Sequence, residues 1–201
     1  FNYINIPDYI YKKYKNGTIK PCHFSDYLRI CLLDKYGGTW IDSTCYMLTK
    51  VPQYMTKENF FIMQDIYRKT ISNFFIHSAK NNYLTKSMRI FLEEYWKKED
   101  ITIDYFFFHA FFLLLVSNDS TAKAVWENIP NGLNHITWQI QMQQGKNVNM
   151  DMLKYLLKTS FMYKLNRKNK TCINNPDSWY WFLINKYRHG ELLTPDSVNK
   201  Y

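Results

Sequence analysis

The sequence predicts a single domain of the α/β or α+β class, in which helices are mixed with strands. A chain of 201 residues is long enough to enclose one stable hydrophobic core. Its composition, 46% hydrophobic and 21% charged, is that of a globular protein and excludes a disordered one. Some segments repeat apolar residues at three- and four-residue steps, as amphipathic helices do, whereas others are short aromatic and β-branched runs typical of strands. We therefore treat residues 1–201 as one domain.

The first predicted helix covers residues 26–36. Ser25 precedes it as a suitable N-cap, and Gly37 follows it as a C-terminal stop. A buried strand is expected next over residues 38–42, at the start of a strand-like run that continues to Tyr46. The chain therefore turns back on itself within this segment.

The remaining elements follow from the same two periodicities. The apolar run over residues 105–116 indicates a buried helix or strand, because it is well short of the ~20 residues that span a bilayer. Either Asn149 or Asp151 can cap one of the later helices. Further strands are predicted over residues 59–66 and 72–77, and further helices over 84–97, 122–129, 153–161 and 179–187.

The chain is basic and unusually aromatic. It carries 26 Lys and Arg against 17 acidic residues, a formal charge of +9, and 18% of its residues are aromatic. These features suit nucleic acids, sugars or a membrane surface. The sequence shows no helix-turn-helix, zinc module or aromatic RNA-binding motif, so nucleic-acid binding is the weakest of the three alternatives. A basic cluster near the end favours phosphates or anionic head groups and comprises Lys158, Lys164, Arg167, Lys168 and Lys170.

The four cysteines lack the spacing of a zinc or redox motif. We expect them to be reduced thiols in the core of an intracellular protein. No signal peptide is visible, which favours a cytoplasmic location, with contact at the inner face of the membrane left open. The cysteines are Cys22, Cys31, Cys45 and Cys172.

Residues 23–46, HFSDYLRICLLDKYGGTWIDSTCY, contain the most informative polar groups. A ten-residue helix rises about 15 Å, and five strand residues return about 16 Å, so Asp42 is expected beside the first turn of the helix. That turn presents Asp26 and Arg29 on one face. Two carboxylates and a guanidinium suit a polyhydroxylated, anionic ligand, with Asp42 able to hold a divalent cation. The alternative is structural: Asp26 pairs with Arg29 at the helix start, and Asp42 caps a turn.

Four other residues are candidates for a functional role, and each also has a structural explanation. Asn73 lies in an apolar strand and either binds a sugar hydroxyl or satisfies backbone groups. Asp104 and His109 flank the most aromatic stretch, where burial would suit a general base for an acceptor hydroxyl, although a lone His among Phe residues is commonly part of the core. Lys164 either neutralises a diphosphate leaving group or belongs to a solvated basic face.

The segment over residues 25–44 resembles the bacterial capsular polysaccharide synthesis family, relatives of the sugar transferases that have a DXD motif. The matching pattern is S-D-x-x-R, then L-L-x-x-Y-G-G-x-W-x-D-x-T. Weaker similarities follow in SNFFIHSAKN from Ser72, EYW at residues 94–96, DYFFFH from Asp104 and YKLNRK from Tyr163. The resemblance extends to about Lys168.

This resemblance implies an α/β domain with the GT-A fold, a Rossmann-like nucleotide-sugar-binding sheet with flanking helices. It implies a glycosyltransferase that moves sugar from a nucleotide-sugar donor, expected to be a UDP-sugar, to a surface polysaccharide or lipid-linked glycan. Asp26 and Arg29 would contact the donor sugar, and Asp42 would bind the metal and diphosphate.

Two departures from the family pattern qualify these expectations. Thr44 replaces the second DXD carboxylate, so dependence on Mn²⁺ or Mg²⁺ is not assured. Only 24 residues precede Ser25, so part of the nucleotide-binding half is expected to be either missing from this chain or shaped differently. A degenerate, non-catalytic relative that binds a glycan or a partner is therefore the alternative.

Overall fold

The computed structural model describes residues 3–65, 70–130, 134–166, 168, 172 and 175–186, without the side chains of 65, 134–136, 138 and 186. Over these residues helices and short strands are mixed, as predicted. The helices are α1 (Asp8–Lys15), α2 (Pro21–Tyr36), α3 (Gln53–Lys57), α4 (Tyr83–Lys98), α5 (Phe107–Asn118), α6 (Ser120–Glu127), α7 (Asn134–Gln143), α8 (Met150–Thr159) and α9 (Trp179–Trp181), the last followed by a π-helical turn over Phe182–Lys186. The strands are β1 (Gly38–Ile41), β2 (Cys45–Met47), β3 (Phe60–Asp65), β4 (Thr70–Ser78) and β5 (Met162–Lys164).

The chain forms two compact units by its internal contacts. The first contains Phe1–Trp40 and Gln53–Asn131, and the second contains Ile41–Pro52 and Gly132–Tyr201. The expectation of one domain over residues 1–201 stays a prediction.

The first unit is built on a three-stranded sheet in the order β1-β4-β3. Strands β3 and β4 are antiparallel, with Phe60 opposite Ser78, and their register shifts between Ile62 and Met63. Helices α2 and α5 pack on the central strand β4, and α4 packs against α1, α2 and α5. The largest fully buried side chains of this unit are Trp96, Tyr27, Phe61, Phe75, Phe107, Phe108 and Phe112. Much of the aromatic content is therefore core.

Helix α2 begins five residues earlier than predicted. Its N-cap is Lys20, and Pro21 occupies the first turn, where a missing N–H costs nothing and the fixed φ already suits a helix. Ser25 is therefore an interior residue and not the cap. The predicted stop is confirmed, because Gly37 ends the helix with φ 69° and its N–H donates to the Leu33 carbonyl.

The predicted buried strand over residues 38–42 is wrong in its burial. Strand β1 lies at the edge of the sheet and is exposed or half-buried along its length. The longer run to Tyr46 is broken by a turn, in which the Cys45 N–H donates to the Asp42 carbonyl over 2.9 Å. Strand β2 begins after this turn.

The second unit pairs β2 with β5 in antiparallel register, with Cys45 opposite Lys164. Asn149 is the N-cap of α8, because its side chain accepts from the Met152 N–H over 2.9 Å, which decides between the two predicted caps. Tyr187, the end of the last predicted helix, lies outside the described residues. The buried core of this unit comprises Leu48, Ile140, Leu153, Leu156, Leu157, Tyr163, Leu165, Trp179, Phe182 and Leu183.

The sheets contain two and three strands, and the β3–β4 and β2–β5 pairings are antiparallel. A mixture of helices and strands is thus confirmed, whereas a Rossmann-like GT-A sheet is not shown by the described part of the chain. Residues 107–116 of the apolar run lie in helix α5, and Tyr105 and Phe106 precede it. Among the helices of the described residues, none has the length and hydropathy needed to span a bilayer.

All four cysteines are free thiols. Cys31 and Cys172 are buried as expected, and burial raises the pKa of the Cys31 thiol to about 12, which makes it unreactive. Cys45 is half-buried. Cys22 is exposed at the start of α2, so the expectation of a core position is wrong for this residue.

Candidate functional site

Asp26, Arg29 and Asn73 form a buried polar cluster in the first unit. The Asp26 Oδ1 atom lies 3.1 Å from Arg29 Nη2 and accepts a 2.8 Å hydrogen bond from Asn73 Nδ2. Arg29 Nη1 donates to the Asn73 backbone carbonyl over 2.6 Å. Asp26 is 8% exposed and Arg29 is 5% exposed. The spacing of three on α2 thus brings both charges to one position on strand β4.

The guanidinium of Arg29 is held on two further sides. Its Cζ atom lies 5.2 Å from the centroid of the Trp40 ring, a cation–π contact, and its Nη2 donates to Ser25 Oγ over 3.5 Å. Trp40 therefore acts first as a platform for Arg29. Such support fixes the direction in which the cluster presents hydrogen-bonding groups.

His109 on α5 is affected electrostatically by the same guanidinium. Burial and the positive charge of Arg29 lower the pKa of His109 from 6.5 to about 4. The neutral imidazole packs edge-on against the rings of Phe106 and Phe108, at centroid distances of 5.2 and 6.1 Å. At neutral pH this histidine carries no charge.

The neutral His109 gives the folded chain a specific pH dependence. Unfolding restores its ordinary pKa, so the unfolded state binds the extra proton between pH 6.5 and about 4, and stability falls as the pH is lowered through that window. We expect this residue to account for about 3 kcal/mol of the loss. Urea unfolding of the native protein and of His109→Phe at several pH values measures the difference. Parallel curves for the two proteins would contradict the assignment.

His23 is a member of this neighbourhood that the sequence reasoning did not single out. It precedes Asp26 by one helical turn, and its Nδ1 atom lies 4.0 Å from Asp26 Oδ2. The signal that would have found it was Pro21, because a helix that starts there sets His23 and Asp26 at i, i+3 on one face. Burial lowers the pKa of its imidazole.

The other predicted base has different surroundings. Asp104 lies in the segment before α5 and is exposed, so the expectation of burial among Phe rings is wrong. Its Oδ1 atom accepts a 2.7 Å hydrogen bond from the Phe106 N–H, in the turn just before helix α5 begins. A role as a base stays a prediction for Asp104 and for His109.

Asp42 and Lys164 meet in the second unit. Lys164 Nζ donates to Asp42 Oδ2 over 2.7 Å and also to the Thr44 hydroxyl. The β2–β5 pairing produces this contact, because it sets Lys164 opposite Cys45, and the Leu165 N–H donates to the Thr44 carbonyl. Lys164 is therefore not part of a solvated basic face. Arg167 and Lys170 of the basic cluster lie outside the described residues.

A divalent cation fits these side chains poorly on their own. Asp42 supplies one carboxylate, Thr44 supplies a hydroxyl, and the Lys164 ammonium is bonded to both. Mg²⁺ and Mn²⁺ prefer several oxygen ligands in octahedral geometry. Across the described ranges, no three His, Cys, Asp or Glu side chains are grouped as a metal would require.

The structure thus groups the predicted site residues in two sets. Asp26, Arg29 and Asn73 are together in the first unit, and Asp42 and Lys164 are together in the second. The expected convergence of Asp42 with Asp26 stays a prediction.

Comparison with protein families gives one assignment. The model of the family described as "Capsular polysaccharide synthesis protein" matches residues 1–183. No curated protein and no solved structure matches the chain. The match covers all of the candidate residues described above.

Proposed function

The chain belongs to the capsular polysaccharide synthesis protein family, and from this premise we propose that it is a glycosyltransferase that uses a nucleotide-sugar donor. The GT-A fold and a UDP-sugar are part of the proposal. The acceptor is a surface polysaccharide or a lipid-linked glycan, and the protein acts in the cytoplasm at the inner face of the membrane.

The observation that supports this proposal best is the buried cluster of Asp26, Arg29 and Asn73. A carboxylate accepts hydrogen bonds from sugar hydroxyls, whereas a guanidinium and an amide donate to hydroxyl or phosphate oxygens. The cluster offers both kinds of group within 3.1 Å of one another. We assign it to the donor sugar.

The second set of residues suits the diphosphate. Transfer of the sugar leaves a nucleoside diphosphate, whose developing negative charge a fixed ammonium stabilises. Lys164 is held in place by Asp42 and Thr44. We propose that Lys164 binds the diphosphate, and that a divalent ion joins only when nucleotide phosphates complete its ligand set.

A panel of UDP-, GDP- and dTDP-sugars tests the proposal, with hydrolysis and transfer measured with Mn²⁺ and with EDTA. We expect Lys164→Met to lower kcat/KM for the donor about tenfold to a hundredfold, because the charge opposite the leaving group is lost. Lys158→Met is the matched control, since Lys158 is exposed on α8 in the same unit. Binding of no nucleotide sugar by the native protein would reject the proposal, as would equal activity of the two variants.

The alternative is a non-catalytic relative that binds a glycan or a partner. The observation in its favour is that Asp42 already forms an ion pair with Lys164, while Thr44 replaces the second acidic residue of the motif. Calorimetry with UDP in the presence of Mn²⁺ separates the two functions. Absence of UDP binding would support the alternative, whereas UDP binding would support the glycosyltransferase.

A further inference from the structure

A groove of about 620 Å³ opens at the N-terminal end of α2 in the first unit. One side is formed by the turn that precedes the helix, with Gly17, Thr18 and Lys20. The other side is formed by residues 100–105, which connect α4 to α5. Neither side belongs to the Asp26–Arg29–Asn73 cluster, so the proposed function leaves this groove without a role.

His23 lines the groove and has hydrogen-bonding capacity that the fold does not use. The residue is only 4% exposed, yet its Nδ1 atom has no hydrogen-bond partner among the described residues, since Asp26 Oδ2 at 4.0 Å is out of range. Its ring is held edge-on by Phe107 at 4.8 Å and by Tyr105 at 6.1 Å. This atom lies on the Asp26 side of the ring and is closed to solvent, so His23 sets the groove beside the donor cluster and does not itself bond a ligand.

The chemistry of the lining suits a sugar. Thr18 and Thr102 supply hydroxyls, and Tyr105 presents an aromatic ring that is 66% exposed. Asp104 supplies a carboxylate that accepts from hydroxyl groups, whereas Asp100 is paired with Lys13 over 2.8 Å and Lys20 adds a positive charge to the lining. Because these charges offset one another, the hydroxyls and the exposed ring suit a neutral polyhydroxylated ligand.

We infer that this groove binds the acceptor saccharide, with Tyr105 stacked on a sugar ring and the Thr18 and Thr102 hydroxyls hydrogen-bonded to the sugar. The inference rests on the proposed function, because it assigns the neighbouring Asp26 to the donor. His23 and Asp26 lie one turn apart on α2, so a sugar at His23 adjoins the donor cluster. An acceptor must be held this close for its hydroxyl to reach the donor carbon.

Saturation-transfer NMR on the full chain without donor tests the groove. The probes are the methyl glycosides of glucose, galactose and N-acetylglucosamine. We expect transfer to at least one of them, and Tyr105→Ala should weaken its binding about fivefold through the lost ring contact. Tyr155→Ala removes a comparably exposed tyrosine from α8 in the second unit and should leave binding unchanged.

Two results would overturn the inference: the absence of transfer to all three glycosides, and equal binding by Tyr105→Ala and the native protein. In the first case, binding to phosphatidylcholine–phosphatidylglycerol vesicles that Tyr105→Ala abolishes would identify the exposed residues near Tyr105 as a lipid contact. Glycoside binding by a protein that binds no nucleotide sugar would instead support the groove and reject only the proposed donor chemistry.

Discussion

Replacing Gly37 by alanine should lower the free energy of unfolding by about 3 kcal/mol or more. Gly37 has φ 69° and ψ −162°, a backbone region that side chains exclude. A Cβ atom there would also lie 2.7 Å from the Lys80 backbone nitrogen and 3.0 Å from the Ser78 carbonyl oxygen. Both atoms are backbone, so neither can move aside as a flexible side chain would. Chemical denaturation of the two proteins measures the loss.

Two other glycines with positive φ provide controls for this effect. Gly38 has φ 96° and Gly17 has φ 85°, yet a Cβ atom at either position would meet nothing within 4 Å. Alanine at these positions therefore introduces backbone strain alone, about 1 kcal/mol. If all three variants lose the same stability, the close approach at Gly37 is not the cause.

Asp26→Ala should cost about 3–5 kcal/mol, because it leaves the buried Arg29 guanidinium without its carboxylate. The loss would far exceed that of an exposed ion pair, which contributes about 1 kcal/mol at most. Arg29→Met in the same chain removes the stranded charge, so the double variant should recover part of the lost stability. A cost below about 1 kcal/mol for Asp26→Ala would show that the pair behaves as a surface contact.

This second prediction also affects how activity is tested. A variant of Asp26 that loses turnover could have lost its fold, whereas the Lys164 pair is more exposed and its removal should leave the chain folded. Donor assays on Asp26 variants therefore need a parallel measurement of the folded fraction.

Local patterns were enough to predict the elements whose signals are local. Helix α4 extends only one residue beyond each end of the predicted segment, and the Asn149 cap and the Gly37 stop occur as expected. The start of α2 was misplaced because Ser25 is a better N-cap by residue type than Lys20, whereas Pro21 was the stronger indication.

Features that depend on tertiary neighbours could not be predicted in the same way. The apolar residues of β1 predict a buried strand, but β1 lies at a sheet edge. Its own residues do not specify that position. Lys164 and Asp42 are 122 residues apart in sequence, so their ion pair follows only from the pairing of β2 with β5. The Asp26–Arg29 pair was predictable because both residues lie on one helix face.

The close backbone approach at Gly37 shows that folding alone constrains some positions of the family motif, whereas others are not constrained in this way. A variant library sorted only for resistance to proteolysis should retain Gly37 and the buried Asp26–Arg29 pair without any selection for catalysis. The same sorting should tolerate changes at Asp42 and Thr44 better, because the ion pair of Asp42 with Lys164 is more exposed than that of Asp26 with Arg29. Comparing that library with one sorted for capsule production would therefore reveal which positions of the motif folding alone retains and which are retained only under selection for activity.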